Sequence, residues 1–210
     1  MHVKPAVGQP RPVGKAVVNH LFAANDSGRI PVVGIVGTEQ TTQLAQLVAW
    51  LQHLSGKRTG LACKDGLYMD QHQVSNRDAR GFDTSERLLI NRALDAAVFE
   101  TTPLLILNEG LAYDRCHVGV VTNMPDTDEQ LIQLHDIQTP EQMRTVIRTQ
   151  VDLVLPEGAA VLNAEDPAVV SLAELSDGEV VYYAKDGTHA VVAEHLKQGG
   201  RAVFCRDAQV

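Results

Sequence analysis

Basic residues, cysteines and long apolar runs are all scarce in this sequence, and each shortage excludes something. Lysine and arginine total 18 against 26 acidic residues, a formal charge of −8. Phosphate backbones and anionic lipid surfaces are bound through an excess of cations, so neither nucleic acid nor a membrane is expected as a partner. The three cysteines, Cys63, Cys116 and Cys205, lie far apart and lack Cys-x-x-Cys spacing. Neither a disulfide framework nor a zinc site is indicated, and all three are expected to be reduced, buried small hydrophobes. No apolar run approaches the roughly 20 residues that span a bilayer. The start, Met1-His2-Val3-Lys4-Pro5, lacks the basic-then-apolar order of a signal peptide, so the expected location is the cytoplasm. There is no internal repeat and no low-complexity tract.

What is present is ordinary for a globular chain: 210 residues, 44% hydrophobic, enough for one domain with a sizeable core. Prolines at 5, 10 and 12 precede an amphipathic stretch from Val13 to Phe22, with Val17, Val18, Leu21 and Phe22 at helical spacing. Residues 1–30 therefore read as a linker and a short helix. From Pro31 the pattern changes. Val32 to Val36 is a short apolar run that stops at Gly37-Thr38, and Leu44, Leu47, Val48, Leu51 and Leu54 then recur at helical spacing. A buried strand turning directly into a helix opens a parallel sheet. The alternation continues, with strands expected at 59–63, 96–99, 118–121, 159–162, 180–183 and 202–204. Helices are expected around 84–93, 140–153, 167–175 and 190–197, the first of them capped by Thr84 or Ser85. A small hairpin is expected at 66–70 and 73–74. The fold class is α/β, a mostly parallel sheet with helices on both faces, filling residues 31–210.

The chemistry should lie where the first strand meets its helix, at Gly34-Ile35-Val36-Gly37-Thr38-Glu39-Gln40-Thr41-Thr42. A working phosphate loop wraps the phosphates in backbone amides, neutralises them with a lysine and holds magnesium through a Thr or Ser hydroxyl. Here the place is right and the lysine is missing. Mur ligases, cyanophycin synthetases among them, carry Gly-Thr-Asn-Gly-Lys-Thr-Thr at this junction, and the sequence resembles that motif with Asn-Gly-Lys replaced by Glu39-Gln40. Further phrases resemble the cyanophycin synthetase branch in order along the chain: Gly14, Gly28-Arg29-Ile30-Pro31, Lys64-Asp65-Gly66, Glu109-Gly110-Leu111, Tyr113-Asp114-Arg115-Cys116, Val120-Val121-Thr122-Asn123 and Val161-Leu162-Asn163-Ala164-Glu165-Asp166-Pro167. The resemblance implies a P-loop-type Mur ligase central domain, an ATPase core. It also implies an ATP-grasp module before this core and a C-terminal Mur domain after it, both expected to be absent from 1–210.

The same resemblance assigns site residues. Gly37, Thr38, Thr41 and Thr42 match the phosphate loop, Asn163 and Asp166 lie beside base and ribose, and Glu100 matches the acid that helps to hold magnesium. Four stations have lost their chemistry. Glu39-Gln40 replaces the loop lysine, and a unit charge pair about 4 Å apart is worth roughly 4 kcal/mol at an effective dielectric of 20, so an anion there reverses a term of that size. Gln40 must also take a positive φ that glycine adopts freely. After Glu100 the family has an arginine and two glycines, whereas Thr101-Thr102-Pro103-Leu104-Leu105 offers a missing donor and two space-filling leucines. Glu129 or a neighbour stands where the family has a metal-side histidine, with His135-Asp136 as a displaced candidate. Ile147 stands where several Mur ligases carry a carbamylated lysine, and it cannot ligate a hard cation.

The expectation is a catalytically silent Mur-ligase-like domain, a pseudoenzyme with no catalytic residue and no cofactor, acting as a binding or assembly module. Its expected partner is an active synthetase subunit or a second copy. The alternative is an ATP-dependent, amide-bond-forming ligase core with weak Mg-ATP binding through Thr41, Thr42, Glu100 and Asn163.

Overall fold

Strand and helix alternate from Val32 onward because short apolar runs are punctuated by amphipathic segments, and the strands build one sheet. The computed structural model describes residues 11–21 and 28–205. The chain divides into two units, Met1–Ile30 and Pro31–Val210. In the first, helix α1 runs over Arg11–Leu21; Phe22, expected to extend that helix, lies outside the described residues.

In the second unit the order is β1 (Val32–Val36), α2 (Thr41–Leu54), β2 (Thr59–Cys63), β3 (Gly66–Met69), β4 (His72–Ser75), α3 (Phe82–Leu89), β5 (Ala96–Thr101), α4 (Pro103–Glu109), β6 (Cys116–Val121), α5 (Glu129–His135), α6 (Pro140–Asp152), β7 (Val154–Asn163), α7 (Pro167–Val170), a 3₁₀ turn at Ala173–Leu175, β8 (Glu179–Asp186), α8 (Ala190–Lys197) and β9 (Arg201–Cys205). Among the described residues nine strands form a single sheet in the order β4-β3-β2-β5-β1-β6-β7-β8-β9. All pairings from β2 to β9 are parallel, and β3 and β4 add the expected antiparallel hairpin at one edge.

Side chains of alternate residues divide the sheet between two helical layers. Val33, Ile35, Leu61, Cys63, Val98 and Val120 face one way and pack against Leu44, Ala45, Val48 and Ala49 of α2. On the other face glycines let helices come close. A Cβ at Gly34 would strike Tyr113 Oη and Gln150, one at Gly119 would meet Gln150, and one at Gly60 would meet Leu88 and Leu94. Gln150, fully buried in α6, accepts a 2.6 Å hydrogen bond from Tyr113 Oη, whose ring stacks on Phe99 at 5.5 Å. Helices thus cover both faces, as the alternation requires.

Several local expectations are corrected. Helix α3 starts at Phe82 with Gly81 as its N-cap and no side-chain cap; Ser85 Oγ donates back to the Gly81 carbonyl instead of capping. The segment expected as one helix over 167–175 is a single turn, α7, followed by the 3₁₀ turn. Two further helices, α4 and α5, occupy stretches to which the sequence pattern assigned no element. Cys63 and Cys116 are buried, but Cys205, on the outer edge strand β9, is exposed. Arg201, Val203 and Cys205 share one face of β9, and that face is exposed, while Ala202 and Phe204 on the other are partly buried.

Candidate functional site

Strand order reverses direction at β1: the chain leaves it toward β2 and β5 on one side and returns on the other side as β6. The carboxyl ends of strands at such a switch point form the ligand crevice of an open α/β sheet. The sequence-predicted residues converge there. Gly37 to Thr42 follow β1, Glu100 is near the end of β5, Thr122 and Asn123 follow β6, and Asn163 closes β7.

The loop after β1 is fixed by one side chain. Asn123 Oδ1 accepts from the Thr38 amide at 2.9 Å and the Glu39 amide at 3.2 Å, and its Nδ2 donates to Thr38 Oγ1 at 2.9 Å. Gly37 has φ 144°, and a Cβ there would collide with Thr122 Oγ1. Gln40 adopts φ 55° and ψ 16°, the left-handed conformation expected to cost a non-glycine residue, and it begins α2 without a side-chain cap. Two amides that a phosphate loop turns toward its ligand are thereby engaged by Asn123.

Glu100 is 1% exposed, and both oxygens of its carboxylate accept hydrogen bonds from the chain. Oε1 accepts from Thr41 Oγ1 at 2.9 Å and Thr42 Oγ1 at 3.0 Å, and Oε2 accepts from the Lys64 amide at 2.8 Å. The Arg80 guanidinium lies 3.8 Å from Oε1 with its side chain 18% exposed, and it is gripped by Asp78 at 2.6 Å. Asp78 holds Arg80 charged and is itself held below the usual carboxylate range by hydrogen bonds from Arg80. The buried negative charge therefore has a cationic neighbour supplied by the chain.

Asn163 and Asp166 are spent on structure. Asn163 Nδ2 donates to the Thr122 carbonyl at 2.9 Å, and its Oδ1 accepts from the Glu165 amide at 3.0 Å. Asp166 caps α7, accepting from Ala168 and Val169 amides, and also accepts from Met124 N at 2.7 Å. Tyr183 Oη donates to the same Thr122 carbonyl at 3.2 Å. Burial first, and then the charges of Glu165, Glu39 and Asp166, push the Tyr183 phenol up to about 12. Glu39 thus adds negative charge to the edge where phosphates would have to sit.

The remaining predicted stations lie on helices α4, α5 and α6. Pro103 is the first residue of α4, capped by Thr102, and Leu104 and Leu105 are half-buried along it. Glu129 is exposed in the first turn of α5, where Gln133 Nε2 donates to it. His135 ends α5 with Nε2 2.7 Å from Asn108 Oδ1. Ile147 is fully buried in α6. Among the described residues no group of three or more His, Cys, Asp and Glu side chains is placed to hold a metal ion. Sequence reasoning missed Asn123 as the loop anchor and Arg80 as the partner of Glu100. Arg80 arrives from a loop between β4 and α3, and nothing local marks it.

No protein-family model matches the chain. Over its entire length, however, it is 35% identical to a cyanophycin synthetase from Synechocystis sp., and over 96% of it 35% identical to one from Geminocystis herdmanii. The chain is a Mur-ligase-like domain of the cyanophycin synthetase family. This domain is also 26% identical, over 92% of its length and 40% of the relative's, to a UDP-N-acetylmuramoyl-L-alanyl-D-glutamate–2,6-diaminopimelate ligase from Chlorobaculum tepidum. A solved structure of a ligase of that name shares the fold, with a TM-score of 0.63 at 14% identity over 83% of this chain and 36% of that one. The Mur-ligase-like domain spans about a quarter of the cyanophycin synthetases it matches, 24% and 23%.

Proposed function

We propose that this domain, built on the scaffold of an ATP-dependent ligase core, is catalytically silent and serves as a binding or assembly module. The observation that carries the reading is Glu100. The acid that the family resemblance assigns to magnesium accepts three hydrogen bonds from Thr41, Thr42 and Lys64 and faces Arg80. A divalent ion would have to displace these donors and share its space with a guanidinium, so the residues fit magnesium poorly. Glu39 in place of a loop lysine makes the same edge unfavourable to phosphate, since the pairwise term has the wrong sign.

A second reading has one observation in its favour: Thr41, Thr42 and Glu100, the side chains it assigns to a Mg-nucleotide, still meet at one point beside the N-terminus of α2. Thermal unfolding with millimolar Mg-ATP separates the two. The silent reading predicts no shift. A ligand present at about a hundredfold excess over its dissociation constant stabilises by roughly 2.7 kcal/mol, and a shift of that size, abolished by Glu100→Ala, would establish the second reading.

A further inference from the structure

A buried carboxylate has to be neutralised, and a protein can do so with a proton, a bound cation or a side-chain cation. Glu100 has the third. Its cation comes from residues 76–81, which join β4 to α3. This connection is tied down along its length. The Arg77 amide donates to Ser75 Oγ at 3.2 Å, the Ala79 amide to the Cys63 carbonyl at 3.0 Å, and the Phe82 amide to Glu109 Oε2 at 2.7 Å. Arg80 is thus presented by fixed backbone, and its side chain is fixed as well. Asp78 accepts from the Arg80 amide at 3.1 Å, from Nε at 3.0 Å and from Nη2 at 2.6 Å, while Nη1 lies 3.8 Å from Glu100 Oε1. A guanidinium held in this way loses little further freedom in meeting a second carboxylate.

We infer that residues 76–81 form an autoinhibitory strap: Arg80 takes the place of a divalent cation at Glu100, and its positive charge is what keeps such an ion out. The inference rests on the closed site proposed above and names the group that closes it. The other partners of Glu100 are weaker obstacles. Thr41 and Thr42 donate to Oε1 through neutral hydroxyls, and a hydroxyl can turn and offer a lone pair instead. Three oxygens, Glu100 Oε1 and the two threonine Oγ1 atoms, then share one position, and a hard divalent ion takes oxygen ligands and completes its shell with water. The Lys64 amide occupies the other oxygen, Oε2. Arg80 alone among these groups can neither turn into a ligand nor lose its proton, and at this range it repels the ion directly. Asn123 engages the loop amides independently.

Manganese(II) without nucleotide, followed by the electron paramagnetic resonance signal of the free hydrated ion, tests this on the full chain. The wild type should leave the signal undiminished up to about 1 mM metal. Arg80→Ala and Arg80→Gln should each take up one ion, at least about tenfold more tightly than the wild type. Glutamine keeps most of the side-chain volume and guards against collapse of the strap. Arg80→Lys, which keeps the charge, should take up none. Adding Glu100→Gln to Arg80→Gln should abolish uptake, which separates this position from surface carboxylates. The two neutral variants should also melt below the wild type in chelator-treated buffer and recover with manganese or magnesium, to which the wild type is indifferent. Neutral variants that fold and take up no ion overturn the inference, as do variants that stay unfolded with metal as without it. A wild type that binds manganese as tightly as they do overturns it as well. Mg-ATP titration of the wild type is a separate readout: the silent reading falls only if that chain binds nucleotide, whichever way the Arg80 variants behave.

Discussion

Replacing Glu100 by alanine asks whether this buried carboxylate holds the fold together or waits for a cation. The substitution removes the acceptor of hydrogen bonds from Thr41, Thr42 and Lys64 N, leaving a buried hydroxyl and a backbone amide without partners, and it strips Arg80 of one of its two counter-charges. Hydrogen bonds to a charged group are worth about 1.5–3 kcal/mol each, but they do not add fully. Removing one partner of a buried ion pair costs about 3–5 kcal/mol. Since Arg80 keeps Asp78, a loss of about 3–5 kcal/mol for the whole arrangement is expected. Equilibrium urea unfolding in metal-free buffer reads this directly. With a slope of about 2–3 kcal/mol per molar, the midpoint should fall by about 1–2 M at unchanged slope. Glu100→Gln, which keeps the shape and one acceptor, should lose less. A cost below about 1 kcal/mol, or a gain in stability, would show that the carboxylate does not hold the fold together. A carboxylate retained for an absent metal is a liability to the empty fold, and its removal would relieve it.

Other expectations follow from the same geometry. Asn123→Ala removes the anchor of Thr38 and Glu39; hydrogen exchange at those two amides should accelerate, with a stability cost of about 1 kcal/mol because the bonds are exposed. Gly34→Ala drives a methyl into the Tyr113–Gln150 pair and should cost about 1–3 kcal/mol or more by thermal unfolding. Burial pushes the Cys116 thiol up to about 12 and the Cys63 thiol also upward. The unfolded chain releases these protons near pH 8.5, so their stabilisation is intact below that pH and is lost as the pH climbs toward 12. Cys116→Ala should flatten the fall in melting temperature between about pH 8.5 and 10, and an unchanged slope would count against a buried neutral thiol.

The parallel core was legible in the sequence because each parallel strand contains a short apolar run with a turn or helix signal on either side. Val32–Val36 and Ala190–Lys197 lie where periodicity put them. Helices α4 and α5 were missed because seven residues span only two turns, too few for periodicity to register. Their capping signals were there: Thr102 before Pro103, and Asp128 three residues before Leu131. Pro103 was weighed only for the donor it lacks, although the first position of a helix needs none. At the site, the strand-to-helix junction fixed the place of Gly37, Thr38, Thr41 and Thr42, and strand order brought Glu100 beside them. Arg80 and Asn123 could not be found that way. They enter from segments 20 and 23 residues away from Glu100 in the sequence, and only the assembled sheet brings them to the loop.

Asn123 engages the loop amides and Arg80 stands beside Glu100, where a magnesium nucleotide would have to bind. Isothermal titration of the chain with Mg-ATP up to millimolar concentration should therefore give no heat beyond dilution. A saturable isotherm with a micromolar dissociation constant would show the site to be open.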